Sequence, residues 1–211
     1  NITFNLLWAI KNKIKVIVPF YNPGNFLELC VNSILTQNYE NYEVLFINDS
    51  STDGSPEKYI PQQLPKVDEK GEALRDENGN FLFYNTHPIL DKTKCLKTTY
   101  WKSGFRMTAL PNLYNGVMQF ATDPDDICVI VDGDDWLINK NVLSYINDFY
   151  NKNNECWMMY GAASWTDGRN CCARPYTKED YQKGLRNVPF KVSHIRTFRA
   201  GLFHKIKEQD S

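Results

Sequence analysis

The stretch IKVIVPFYNPGNFLELCVNSILTQNYENYEVLFINDS, residues 14–50, decides the fold. Ile14 to Val18 is a short, almost continuous β-branched run that stops at Pro19, the pattern of a strand buried on both faces. Tyr21 to Asn25 follow as a loop, rich in turn formers. Phe26, Leu27, Leu29, Cys30, Ser33, Ile34 and Leu35 then recur at helical spacing, and Tyr42 to Ile47 returns as a second apolar strand ending in Asn48 and Asp49. Strand, helix and strand in this order make a βαβ unit, which requires a crossover and a parallel sheet.

Working outward, the pattern breaks and then resumes. Pro56, Pro61 and Pro65 interrupt any periodicity, charges cluster from Lys66 to Glu77, and Asn78-Gly79 reads as a hairpin turn before Phe81-Leu82-Phe83-Tyr84. Residues 56–102 are therefore expected to elaborate one domain spanning 1–211 rather than to form a second. Regular pattern returns with a helix over Arg106 to Phe120, a strand over Ile127 to Val131, a helix over about Asn141 to Asn151 and an apolar stretch from Cys156 to Ala163. No internal repeat or low-complexity tract interrupts it.

Composition narrows the class of partner. The chain has 211 residues, 42% hydrophobic and 14% aromatic, enough for one sizeable core. With 24 Lys plus Arg against 25 Asp plus Glu, the net charge of -1 excludes a strongly basic nucleic-acid binder and a disordered acidic chain. An anionic ligand must be held by a local site. The apolar opening Ile2 to Ile10 is interrupted by Asn5 and ends at Lys11 and Lys13, well short of the roughly 20 apolar residues of a membrane helix. It lacks a signal-peptide cleavage pattern, and the chain opens on Asn1 rather than Met, so targeting stays open. Six cysteines, at 30, 95, 128, 156, 171 and 172, include no CxxC pair and no His at zinc-finger spacing. Cys30, Cys128 and Cys156 lie among apolar residues as small hydrophobes, and a reducing, cytoplasmic location is expected.

The chemistry is expected at the carboxyl ends of the strands, where loops converge and helix N-termini offer unpaired N–H groups. Three such ends are polar: Pro19-Phe20-Tyr21-Asn22, the run Asn48 to Ser55, and Asp132-Gly133-Asp134-Asp135-Trp136. Three carboxylates within four residues repel one another unless a cation neutralises them. A hard divalent ion, Mg²⁺ or Mn²⁺, takes oxygen ligands from one or two carboxylates and completes its shell with water and substrate phosphates. A solvated acidic turn capping the following helix explains the same residues equally well. At Asp49 a carboxylate can accept an N–H from a nucleobase, and Tyr21 offers a ring for base or ribose packing, although the run to Ser55 also has the make-up of an ordinary turn.

Together these segments resemble the family 2 nucleotide-sugar glycosyltransferases. The resemblance rests on Lys15-Val16-Ile17-Val18-Pro19-Phe20-Tyr21-Asn22, Ser33-Ile34-Leu35-Thr36-Gln37, the run Tyr42 to Ser55, and Val129-Ile130-Val131-Asp132-Gly133-Asp134-Asp135, in that order and spacing. It implies the GT-A fold, an α/β, Rossmann-like, mixed but mostly parallel sheet flanked by helices. It assigns Pro19 and Tyr21 to the nucleotide-binding first loop, Asp49 to the base, and Asp132, Asp134 and Asp135 to a DxD motif, with Asp132 on the nucleotide and Asp134 and Asp135 on Mn²⁺ or Mg²⁺. Arg106, in Arg106-Met107-Thr108-Ala109-Leu110-Pro111-Asn112, matches a helix start that aims an arginine at the nucleotide. The implied activity is inverting transfer of a sugar from a nucleotide diphosphate donor, UDP-linked, to the hydroxyl of a glycan, protein or lipid acceptor.

Three features depart from the family pattern. Asn48 stands where many relatives have a second Asp, and residues 56–102 exceed the usual connection. Thr197 to Ile206 resembles the segment preceding the family's acidic catalytic motif, so the general base is expected beyond Ser211 and no catalytic residue is assigned. Glu179-Asp180-Tyr181 superficially resembles that motif at the wrong position; it offers an alternative base, against the plainer reading of a charged loop or a helix start after Thr177. His194 is within the range of roles that reach a metal or diphosphate, but a lone His is more often a satisfied polar residue. Trp101, Trp136 and Trp165 stand beside polar loops, where sugar stacking competes with packing. Two other functions fit the same residues: a non-catalytic nucleotide-sugar binding domain, and a sugar nucleotidyltransferase. The latter is disfavoured by the absence of Lys or Arg from the loop Phe20 to Asn25.

Overall fold

The computed structural model describes residues 11–206 except 62, 67, 80–81, 86–96 and 171–172. Its central strands are β1 (Ile14–Phe20), β2 (Tyr42–Asn48), β5 (Thr98–Lys102), β6 (Ile127–Ile130), β7 (Met158–Gly161) and β8 (Ser193–Arg199), in the spatial order β5-β2-β1-β6-β8-β7. β5, β2, β1 and β6 run parallel, β8 is antiparallel to β6, and β7 is antiparallel to β8. The sheet is therefore mixed and mostly parallel, as the resemblance implies.

Successive side chains of a strand point to opposite faces, and here both faces are apolar. Val16, Val18, Val44, Phe46, Ile127 and Val129 pack under α1 (Phe26–Leu35) and α4 (Val142–Lys152). Ile17, Leu45, Ile47, Cys128 and Ile130 pack under α3 (Ala109–Phe120), with Phe198 and Ala200 beside them. This double burial is why the strands read as continuous apolar runs rather than alternating ones. α3 presses close because Gly116 has no side chain: a Cβ there would lie 2.7 Å from Ile47 Cδ1. Cys30 and Cys128 are fully buried free thiols and Cys156 is a half-buried one, whereas Cys95, Cys171 and Cys172 lie outside the described residues.

Residues 56–102 divide. α2 (Ser55–Tyr59) and a small antiparallel pair, β3 (Gln63–Pro65) with β4 (Phe83–Asn85), form the elaboration. The Asn78-Gly79 turn is present, with Gly79 at φ +82° and its N–H on Asp76 O at 3.0 Å. β5 instead belongs to the main sheet, in register with β2 from Val44 to Asn48. The remaining short helices are α5 (Lys178–Lys183) and α6 (Ala200–Phe203). Among the described residues, no helix is long and apolar enough to cross a membrane.

Candidate active site

The loops after β1 and β2 are tied to each other by side chains that sequence alone marks only as turn formers. Asn22 donates its backbone N–H to Ser51 Oγ at 2.9 Å, and its Oδ1 accepts the Thr52 N–H at 2.8 Å. Asp53 accepts the Gly24 N–H at 2.8 Å and Tyr59 donates to Asn25 Oδ1 at 2.8 Å. Asn48, at the position of the family's second Asp, is fully buried; it donates to Tyr100 Oη at 2.7 Å and accepts the Ser51 N–H at 2.7 Å. An amide does both, which a carboxylate cannot. Asn22 at φ +48° and Ser50 at φ +65° sit in the left-handed region, where a non-glycine residue is held only by such surrounding bonds.

Asp49 is 5% exposed and already engaged. Its Oδ1 accepts the Met107 N–H at 2.6 Å and its Oδ2 the Thr108 N–H at 3.0 Å. These bonds hold a turn in which Thr108 has φ +73°, so α3 begins at Ala109 and not at Arg106. Arg106 therefore stands on the turn before the helix. Its guanidinium lies over the Tyr21 ring, 4.1 Å from the centroid, and its Nε is 4.0 Å from Asp49 Oδ2. Each Asp49 oxygen retains a second lone pair for a ligand.

The third strand end is shaped by a close approach. Gly133 donates its N–H to Pro19 O at 3.1 Å, and a Cβ on it would lie 2.3 Å from Phe20 Cβ. Only glycine fits between the loops. The turn closes with the Asp135 N–H on Asp132 O at 2.9 Å, which puts the side chains of Asp132 and Asp135 together and leaves Asp134 exposed toward the cleft. The carboxylate cluster therefore differs from the expected pair of Asp134 and Asp135. Asp132, Asp135 and His194 each offer a ligand atom, all within 4.8 Å of one another, which places His194 where the metal-reaching alternative of the sequence reading puts it.

His194 and Arg196 reach this cluster from β8. His194 Nδ1 lies 3.1 Å from Asp135 Oδ2 and 3.6 Å from Asp132 Oδ2. Neither contact is a hydrogen bond, and this buried nitrogen is left without a hydrogen-bond partner. Arg196 Nη2 donates to Asp132 Oδ2 at 2.9 Å. Burial holds the Asp135 carboxyl above its ordinary range; Asp134 and Asp132 add to the rise, while His194 and Arg196 oppose it. Two carboxylate oxygens and an unpaired imidazole nitrogen form a donor set suited to Mn²⁺ or Mg²⁺, with the nitrogen favouring the transition metal. Arg196 has no role assigned from sequence; its signal is a position two residues from His194 on one strand, which puts both side chains on the same face.

Pro19, Tyr21, Asp49, Arg106, Asp132 and Asp134 all line one cleft of about 720 Å³, within the range of small-molecule sites. Asp135 is not on its lining and stands with His194. Thr108, Asn112 and Phe26 line it too, although nothing in their local sequence singles them out. Asp180 is elsewhere engaged: it forms a capping box with Thr177 and accepts Lys191 Nζ at 2.6 Å. The Lys191 hydrogen bond, with those from Thr177, lowers its pKa to about 2, which makes it a poor base. Trp101 packs on the core, Trp165 is exposed, and Trp136 stacks with Phe26 at 6.5 Å between ring centroids.

Residues 15–63, from β1 through the knitted loops, match the family model described as Glycosyl transferase family 2. Over that stretch the chain is similar to glycosyltransferase family 2. Glycosyltransferase GlyA of Streptococcus pneumoniae serotype 4 is 28% identical over 163 residues, 72% of this chain and 19% of that protein. Among solved structures, S. aureus TarS in complex with UDP superposes with a TM-score of 0.56 at 17% identity, over 91% of this chain and 48% of that one. The mannosyltransferase PcManGT from Pyrobaculum calidifontis, in complex with GDP-Man and Mn²⁺, gives 0.53 at 20% identity, over 94% and 47%. At these identities the structural likeness shows the fold alone, which is GT-A. The chain spans about a fifth of GlyA and about half of each solved chain.

Proposed function

We propose that this glycosyltransferase binds a nucleoside diphosphate sugar, UDP-linked, in the cleft and transfers the sugar to an acceptor hydroxyl with inversion. The observation that carries the reading is the shared lining: an aromatic ring, a cation and a carboxylate at Tyr21, Arg106 and Asp49, with the acidic turn of Asp132 and Asp134 in the same cleft. A base and ribose fit the first group by packing and hydrogen bonding, and a diphosphate extending from them meets the second. The UDP complex of TarS and the GDP-Man and Mn²⁺ complex of PcManGT support this choice of ligand. Asp132, Asp135 and His194 would hold the divalent ion, with Asp134 facing the ligand. When bound, that ion stabilises the negative charge that develops on the diphosphate as the glycosidic bond breaks. The described residues are read as one unit, elaborated between α2 and β5.

Calorimetry tests the reading. UDP should bind more tightly in Mn²⁺ than in a chelator, and more tightly than ADP, and Asp132→Asn should remove the metal dependence. Equal affinity with and without metal, or equal affinity for ADP, would overturn it.

A further inference from the structure

Among the described residues, Arg196 is a charged group at the acidic turn that neither the base site nor the metal ligands account for. It projects from β8, whose register sets it opposite Ile130 on β6, two residues before Asp132. Its Nη2 donates to Asp132 Oδ2, the same oxygen that faces His194 Nδ1 at 3.6 Å. Its Nε is buried and has no acceptor. The guanidinium is thus held at a single point on one carboxylate oxygen, where a fork of donors ordinarily takes a carboxylate by two. An arginine whose role was only structural would be expected to satisfy that buried donor, because leaving one unpaired is costly.

The charge arithmetic gives this arrangement a direction. Asp132, Asp134 and Asp135 are three carboxylates, and Arg196 supplies a permanent positive charge against them. A divalent cation arriving at Asp132, Asp135 and His194 shares the Asp132 carboxylate with Arg196 and is repelled by its charge. A diphosphate in the cleft brings negative charge that offsets both cations. We propose that Arg196 is a place-holding cation on Asp132, a positioning residue that makes metal binding and nucleotide binding depend on each other. The inference rests on the metal reading given above. With Arg196 in place, the metal alone binds weakly, the nucleotide alone binds weakly, and each strengthens the other by the same factor, as linkage requires.

The test is calorimetry on the full chain with Mn²⁺ alone, UDP alone in chelator, and UDP in saturating Mn²⁺, for wild type, Arg196→Met and Arg196→Lys. Wild type should show coupling in the range of about 5- to 150-fold. Arg196→Met should bind Mn²⁺ alone about tenfold more tightly and lose about tenfold of the coupling, whereas Arg196→Lys, which keeps the charge, should retain most of it. Arg196→Gln provides the same comparison should the Met variant melt below the assay temperature. Weaker Mn²⁺ binding with the charge removed would mean that Arg196 merely props Asp132 and would overturn the inference, as would unchanged coupling. Absence of coupling in wild type is a separate result: it overturns the metal reading itself and this inference with it.

Discussion

Replacing Gly133 with alanine tests whether the first and third strand-end loops are built as one surface. The added Cβ falls 2.3 Å from Phe20 Cβ and 3.1 Å from its Cγ, whereas ordinary contact begins at 3.4 Å. Phe20 Cβ is fixed to the β1 backbone, which is paired on both sides by β2 and β6, so the Asp132–Asp135 turn must yield by about 1.1 Å. That shift also stretches the Gly133 N–H bond to Pro19 O. Overpacking of this kind costs about 1–3 kcal/mol and a weakened backbone hydrogen bond about 1 kcal/mol, together roughly 2–4 kcal/mol. For a chain of this size the melting temperature should fall by about 5–15 °C. Because Asp132 and Asp134 move with the turn, UDP affinity in Mn²⁺ should drop by an order of magnitude or more, since displacements of about 1 Å at a site are expensive. Differential scanning fluorimetry and calorimetry read the two effects. Gly168→Ala, at φ +84° in an open turn outside the cleft lining, is the control: it should cost some stability and leave UDP binding alone. A Gly133→Ala protein with wild-type melting and wild-type UDP affinity would refute the close packing on which the site is built.

Asp49→Asn keeps one acceptor for the Met107 and Thr108 N–H groups and loses the charge, so urea titration should show a loss of about 1.5–3 kcal/mol, with weaker UDP binding; an unchanged midpoint would contradict the latch on the 106–108 turn. Asp180 has a folded pKa lowered to about 2 from an ordinary 3.8, so its contribution is present above the unfolded value and is lost as pH falls from about 4 toward 2. The stability gap between wild type and Asp180→Asn should therefore shrink over that acid window and stay constant from pH 5 to 7; a gap that vanishes near neutrality would contradict the Lys191 pairing.

The βαβ core was legible because burial on both faces leaves continuous apolar runs, as at Val16-Ile17-Val18 and Val44-Leu45-Phe46-Ile47. β5 was hidden inside 56–102, since Thr98–Lys102 is a half-exposed edge strand with no apolar pattern of its own. The start of α3 was set three residues early because local spacing does not reveal that a carboxylate 58 positions away captures the Met107 N–H. The cleft residues Pro19, Tyr21, Asp49, Arg106, Asp132 and Asp134 were all readable, since strand ends of a parallel sheet converge and sequence marks where the strands stop. Which carboxylates cluster was not readable: spacing alone does not tell that the turn pairs Asp132 with Asp135 and turns Asp134 outward. The contribution of His194 and Arg196 depends on β8 folding back antiparallel beside β6, a contact made by no local pattern.

The most direct test of the nucleotide and metal reading is an anomalous-scattering map from crystals grown with UDP and Mn²⁺. The account predicts a manganese peak within bonding distance of Asp132, Asp135 and His194, with the uracil ring against Tyr21 and Arg106. A manganese peak held by Asp134 alone, or UDP bound in the cleft with no metal at the acidic turn, would contradict it.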